Sequence, residues 1–492
     1  MMNALDRLIA YMAPMAALRR RQARSVLSHY EAAEPSRLRK FYRERGSQNE
    51  IVQRGAHAIR VQARHLCRNH DLARGALRVM VNNIVGPKGI GIEPQPRRAD
   101  GTIHRDYAKA LLEAWRDWTR FPEVTHRLSY SRLQRSMARA WIRDGEVFGQ
   151  MITGMRPDLD HGTRVPFSLE AFEADWVPLG LNDETKGIVQ GIERNAWGKP
   201  RAVHVIRSPA NRMSLPSGQG TVRIPWERVL HLATLDHIGQ VRGVSEFASV
   251  ITRLEDIKDY EESERVAAKI AAMLTAYVKK GTPDLYDAES AAAPREISLK
   301  AGAIIDDLAI GEEVGMIDSK RPNPNLITFR QGQLRAVASG LGGSYSSFSR
   351  DYNGTWSAQR QELVEQWVHY ACLTDEMVGE VQQPVWEQFV MACHLSREVP
   401  IPADVMAGTH NDAMYIAQSM PWIDPVKEAT AWKMLVEAGL GSEVEAIRRR
   451  GVNPLDVLEQ IKEFRERSAE LGLKFSTTPE AAEVIEEQDD AE

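Results

Sequence analysis

Along residues 57–86 the apolar side chains Ile59, Leu66, Leu72, Leu77, Met80 and Ile84 recur among polar ones, a spacing that suits one or two amphipathic helices. Gly86-Pro87-Lys88-Gly89 ends that pattern. Residues 107–121 and 129–145 repeat the helical period, the second stretch with Ser129 or Ser131 as its cap and Asp144-Gly145 as its stop. The period then becomes two. EVFGQMIT, FSLEAFEADWV, GIVQGIERNA and RAVHVIR read as strands, and Trp197-Gly198-Lys199-Pro200 predicts a hairpin between the last two. Residues 208–220, rich in Pro, Gly and Ser, are expected to form an exposed loop. The first half is therefore α+β with antiparallel character.

Residues 245–280 contain no proline or glycine and would extend about 50 Å as one helix. Its apolar start, Phe247, Val250, Ile251, Leu254 and Ile257, keeps no strict heptad. It gives way to Glu255, Asp256, Asp259, Glu261, Glu262 and Glu264, opposed only by Lys258. Such a run is either a solvated face or a wall of a polar channel. Residues 281–296 are linker-like, and 297–318 alternate like short strands, so a small α/β insertion follows the helix. A further helix leads to SGLGGSYSSFSRDYNGTWSAQRQELVEQW, which opens a very long helical stretch containing one proline, Pro384, where a kink or break is expected. Trp356 and Ser357 mark the start of that helix, with Ser357 as candidate cap. Residues 421–469 read as purely helical.

Length changes this picture by requiring about two to four domains. The 43% hydrophobic and 26% charged content excludes a fibrous or wholly disordered chain. A net charge of −4 does not mark a nucleic-acid binder, yet its distribution is uneven. Residues 1–45 hold ten Lys/Arg against four Asp/Glu, including Arg19 to Arg24, whereas 476–492 hold seven acids and no base. These ends read as a basic arm and an acidic tail. Cys67, Cys372 and Cys393 are odd in number and far apart, which favours reduced thiols. No apolar run approaches a membrane span.

Catalytic chemistry is sought and mostly not found. The only Gly-Lys pair, Gly198-Lys199, is followed by Pro200 where a phosphate-binding loop needs Ser or Thr. His65, Cys67 and His70 lack a fourth zinc ligand at suitable spacing, and a helix with polar-face histidines is the plainer reading. His231, Asp236 and His237 have no nucleophile elbow to serve. Asp306-Asp307 resembles the carboxylate pair of a two-metal nuclease, but such a site needs further converging carboxylates and a solvated turn is the plainer reading. No catalytic, cofactor or metal residue is assigned.

The block DHIGQVRGVSEFASVITRLEDIKDYEESERVAAKIAA resembles the portal proteins of tailed bacteriophages, in their lambda-type branch. LDRLIAYMAPMAALRR, ARHLCRNHDLARGAL with NNIVGPKGIGIEPQP, RDGEVFGQ, DYNGTWSAQRQELVEQW and DPVKEATAWKMLVEAGLGSEVEAIRRRGVNP resemble further blocks of that family in the same order. The resemblance runs from Leu5 to about Glu463. Where the family continues after GLG with an apolar residue and a proline, this chain has Gly343-Ser344.

The resemblance implies an α+β subunit with wing, stem, clip and crown, assembling into a homo-oligomeric ring, commonly of twelve, around a central channel. On that order 1–39 are the basic arm, 40–244 the wing, 245–278 and 325–341 the stem helices and 279–324 the clip. Residues 342–356 become a channel loop, 357–405 the kinked helix and wing return, 406–475 a helical crown and 476–492 an acidic tail. The implied role is a conduit at one capsid vertex of the virion, assembled in the host cytoplasm, for packaging and ejection of double-stranded DNA without sequence specificity. Implied partners are the terminase large subunit, head-tail adaptor proteins, and major capsid and scaffold proteins; no membrane and no cofactor are implied. Ser344, Ser346, Ser347, Ser349, Arg350 and Asn353 become candidates for loop contacts to DNA, and the six stem acids candidates for the channel wall. The alternatives are a metal-dependent DNA-processing enzyme and a different oligomeric scaffold.

Overall fold

The computed structural model describes residues 46–206, 220–272, 276–280, 312–316, 325–420 and 424–473. The expected basic arm, the 208–219 loop, most of the insertion and the acidic tail lie outside the described residues. The chain divides into Met1–Ile51 and Val52–Glu492; within the first, only 46–51 are described, and they include the first turn of a helix.

That helix, α1 (Gln48–Asn69), is followed by α2 (Asp71–Val85), β1 (Gly91–Pro94), α3 (Arg105–Trp118) and α4 (Tyr130–Asp144). The break between α1 and α2 has a local cause. His70 Nδ1 accepts from Leu72 N at 3.2 Å, capping α2, and Nε2 donates to Leu254 O at 3.1 Å. His70, one of the three side chains with partial zinc-ligand spacing, is thus a cap that also reaches Leu254. α4 follows Ser129, as expected, and ends at Gly145, whose φ of 92° turns the chain into β2.

Strands β2 (Glu146–Thr153), β3 (Phe167–Glu173) and, later, β8 (Val229–Ala233) form an antiparallel sheet in the order β3-β2-β8. Between β3 and β8 lie β4 (Ile188–Val189), β5 (Ile192–Arg194), β6 (Pro200–Ile206) and β7 (Thr221–Pro225), a four-stranded antiparallel meander. The hairpin at Trp197 to Pro200 is present between β5 and β6. GIVQGIERNA, read as one strand, is two: Gln190 and Gly191 both have positive φ and fold β4 back onto β5.

α5 (Ile251–Ala272) begins inside the main core: Phe247, Val250, Ile251, Leu254 and Ile257 are all buried. β9 (Ala276–Lys280) and β10 (Glu312–Met316) then pair antiparallel, closing the neck of the insertion. α6 (Leu326–Gly340) returns along α5, with Arg253 Nη1 3.0 Å from Gln333 Oε1 and the Tyr260 and Phe329 rings 4.8 Å apart. A short helix, α7 (Tyr345–Ser349), precedes α8 (Trp356–Met377), a π-helical turn at Val378–Gln382, and α9 (Gln383–Ser396).

The irregularity therefore sits just before Pro384 rather than at it. A proline lacks N–H and its ring would strike the carbonyl four residues back, at Glu380; a widened turn there removes the clash while the helix continues. β11 (Ala413–Ile416) pairs with β1, so part of the region expected as helical crown instead completes a two-stranded sheet. α10 (Pro425–Glu437), α11 (Glu443–Arg449) and α12 (Pro454–Glu470) follow, capped by Asp424, Ser442 and Asn453.

The main core is held by rings from distant segments. Trp115 and Trp118 stack at 4.7 Å, Trp118 stacks on Phe167 at 5.3 Å, and Phe389 meets Trp115 edge-on at 4.9 Å. Trp118 Nε1 donates to Phe167 O and Trp386 Nε1 to Asn411 O, both at 2.8 Å, so neither buried indole is left unpaired. This core fixes α3, α4, β3 and α9 as one body from which α5, α6 and the segment between α6 and α8 extend.

Candidate functional site

The segment 341–355 is a compact structure with a small exposed tip. Gly342 has a φ of 64°, and a Cβ there would lie 2.4 Å from the His369 ring, so only glycine lets α6 end against α8. Ser344 caps α7, accepting from Ser347 N at 3.2 Å, and its own N–H donates to Gln366 Oε1 at 3.1 Å. Ser346 Oγ donates to Glu362 Oε2 at 2.6 Å, and Ser349 Oγ to Tyr345 O at 2.7 Å. Tyr345 packs under Arg335, 5.2 Å from its ring centroid, and donates its hydroxyl to Asp351 Oδ2 at 2.9 Å. That hydroxyl, with the Asn353 N–H, holds the Asp351 carboxyl below its usual range; burial, then Asp351, push the Tyr345 phenol up.

Arg350 closes α7 in the left-handed region at φ 60°, which turns its side chain outward. Arg350, Tyr352, Asn353, Gly354 and Thr355 are exposed. Thr355, not Ser357, caps α8, accepting from Ala358 N.

On α5, Glu255, Asp256, Asp259 and Glu262 are exposed, Glu261 is half-buried against the Arg330 guanidinium, and Glu264 is buried. The acidic run thus splits. Four carboxylates face solvent in the single subunit, and two face inward.

Ahead of α5 in the chain, Arg242 and Gly243 join a buried ionic hub around Glu146. Glu146 is fully buried, and Arg242 Nε lies 2.9 Å from both of its carboxylate oxygens. Arg60 Nη2, His231 Nε2 and the Gly243 N–H add contacts at 3.1 Å each. Arg242 spends its remaining donors on the carbonyls of Val177, Gln190 and Ala174, at 3.1, 2.7 and 3.2 Å. Every hydrogen-bonding direction of the pair is filled, as a buried pair requires. Burial pushes the Glu146 carboxyl up, but the Arg242 charge and the hydrogen bonds from His231 and Arg242 outweigh it and hold the group far below the usual range. Arg60 also bonds Asp175 at 3.0 Å, and Arg64 joins Asp175, Asp144 and Glu173.

A family model described as "Phage portal protein, lambda family" matches residues 34–373. The chain belongs to that family. A probable portal protein of Halomonas phage phiHAP-1 is 24% identical over 443 residues, covering 87% of this chain and 84% of the relative. Portal protein B of Escherichia phage lambda is 24% identical over 268 residues, 48% of this chain and 50% of the relative. The neck of a native gene transfer agent particle aligns at a TM-score of 0.42 and 11% identity, covering 80% of this chain and 94% of that one.

The protein is a phage portal protein, and in that light the candidate residues sort by position. Ser344 and Ser346 are corrected: both are buried, their hydroxyls bonded within the segment or to α8, so they are not free to meet a ligand. Ser347 and Ser349 are half-buried, and only Arg350 and Asn353 stand at the exposed tip. His231 is stacked on Phe148 at 4.3 Å and bonded to Glu146, while Asp236 and His237 lie exposed, so the hydrolase grouping is not assembled around His231. Asp306 and Asp307 lie outside the described residues. Among the described residues, no three His, Cys, Asp or Glu side chains are grouped as metal ligands.

The ionic hub was missed from sequence. Its signal is RDGE and VRG, each a charge next to a glycine within a family-like block. Gly145 and Gly243 cross so closely that a Cβ on Gly243 would lie 2.0 Å from Gly145 O. That crossing sets Glu146 and Arg242 side by side.

Proposed function

We propose that copies of this chain, twelve by the family's habit, form a ring at a capsid vertex whose channel passes double-stranded DNA during packaging and ejection. The role is structural. The observation that supports it best is the 341–355 segment: a loop braced between two long helices, with its serines turned in and a guanidinium and an amide left at the tip. Repeated around a ring, such tips touch phosphates weakly and without reading bases. Exposed carboxylates on α5 keep the wall from gripping, because phosphate neutralisation by many cations raises affinity steeply.

In this reading the insertion between β9 and β10 is the clip, where the terminase large subunit docks and head-tail adaptor proteins later replace it. The wing faces major capsid and scaffold proteins, and assembly takes place in the host cytoplasm.

Negative-stain images of the purified protein should show rings with a central hole; monomers at every concentration would overturn the ring. Arg350→Glu with Asn353→Asp should leave rings intact and reduce DNA retained in heads several-fold. Ser346→Ala should cost about 1 kcal/mol of stability by stranding Glu362, with DNA retention near wild type. Equal retention in the tip variant and wild type would remove the loop from the mechanism.

A further inference from the structure

The wing carries a recess that the portal reading leaves unused. It has a volume of about 490 Å³ and is lined by Arg64, Arg68, Arg74, Arg78, Arg139 and Arg143, with Glu173 as the one carboxylate at its edge. α1, α2 and α4 supply these arginines at helical spacing: Arg64 and Arg68, Arg74 and Arg78, and Arg139 and Arg143 are each four residues apart. Three helices thus turn a basic stripe toward one hollow.

Its floor already shows how it treats carboxylates. Arg143 Nε and Nη2 hold the two oxygens of Asp144 at 2.7 Å each, and Arg64 approaches the same oxygens at 3.0 and 2.7 Å. Such forked contacts are the strong, directional form of arginine recognition. The outer four guanidiniums are different. Arg68, Arg74, Arg78 and Arg139 are exposed, and none forms an ion pair among the described residues. Even with Asp144, Asp175 and Glu173 set against the six, three positive charges stay unbalanced. Four unpaired arginines around one hollow repel one another, so an anionic occupant relieves a cost as well as adding contacts.

Shape selects among anions. A recess this size admits the side chains of a peptide but not a duplex, whose phosphates lie on a broad convex surface. The chain carries a matching peptide, with Glu480, Glu483, Glu486, Glu487, Asp489, Asp490 and Glu492 and no base among residues 476–492. We propose that this recess is a receptor for the acidic C-terminal segment of the same chain or of a neighbouring copy, held by Arg68, Arg74, Arg78 and Arg139. The Cys67 thiol in the wall, pushed up to about 12 by burial, stays neutral and takes no part.

The test uses the full-length protein. Phenylglyoxal modification is mapped by mass spectrometry in wild type and in a variant whose seven C-terminal acids are changed to Gln or Asn. Arg74, Arg78 and Arg139 should react at least several-fold more slowly in wild type, while exposed Arg132 reacts equally in both. In 1 M salt, where screening acts within about 3 Å, the difference should vanish. A synthetic 476–492 peptide added to the variant should restore protection. Equal rates in the two proteins, or protection by a short DNA duplex but not by the peptide, would overturn the assignment. Neither readout depends on the channel function.

Discussion

Glu146→Gln is expected to destabilise the protein by about 3–5 kcal/mol at pH 7, the cost of leaving a buried guanidinium without its carboxylate. Arg242 would then be buried with only carbonyl partners, and Arg60 would keep Asp175 as its one ion-pair partner beside the Asp144 carbonyl. Chemical denaturation followed by tryptophan fluorescence would measure the loss; a change below about 1 kcal/mol would mean that the hub tolerates a neutral centre. The pH dependence has a definite sign. The folded-state pKa of Glu146 is depressed, so its contribution is fully present above the unfolded carboxylate value of about 4.3 and declines as pH falls below it. Asp175, depressed by Arg64 and Arg60 against the upward push of burial, acts in the same direction. The gap between wild type and E146Q should therefore narrow below about pH 4 and stay constant from pH 6 to 8.

The second large effect is steric. Gly243→Ala places a Cβ 2.0 Å from Gly145 O and 3.0 Å from Glu146 Cβ, and neither can yield without parting the two backbones that carry the ion pair. A loss of about 3 kcal/mol is expected, at the upper end for overpacking, with little soluble protein at 37 °C. Gly332→Ala is the control. It lies within α6 with nothing within 4 Å of the added methyl, so the same chemical change should stabilise by about 0.5–1 kcal/mol. Similar behaviour of the two variants would show that the crossing is looser than its geometry.

The candidate site was legible in outline and not in detail. SGLGGSYSSFSRDYNGTW announces a segment between helices, but its composition suggests freely exposed hydroxyls. Ser346 instead points inward because Glu362, about two turns into α8, receives its hydroxyl, and Ser344 is drawn in because Gln366, about three turns into α8, receives its backbone N–H while its hydroxyl bonds Ser347. No local pattern shows which face of a later helix lies opposite an earlier loop. Pro384 was readable as an irregularity, yet where the helix absorbs it depends on the preceding carbonyl at Glu380. The acidic run on α5 was readable as a run; its division into outward and inward carboxylates required α6 to be in place.

Period and punctuation along the chain determined which segments are helices and strands, where Gly145 ends α4, and the antiparallel character of the sheets, because those choices rest on backbone conformation and on contacts within a few residues. Only the tertiary structure decided that Arg242 completes Glu146 from 96 residues away, that β11 returns to pair with β1, and that arginines of three helices surround one hollow. Such pairings depend on charge balance and close approach in space, and sequence spacing carries neither.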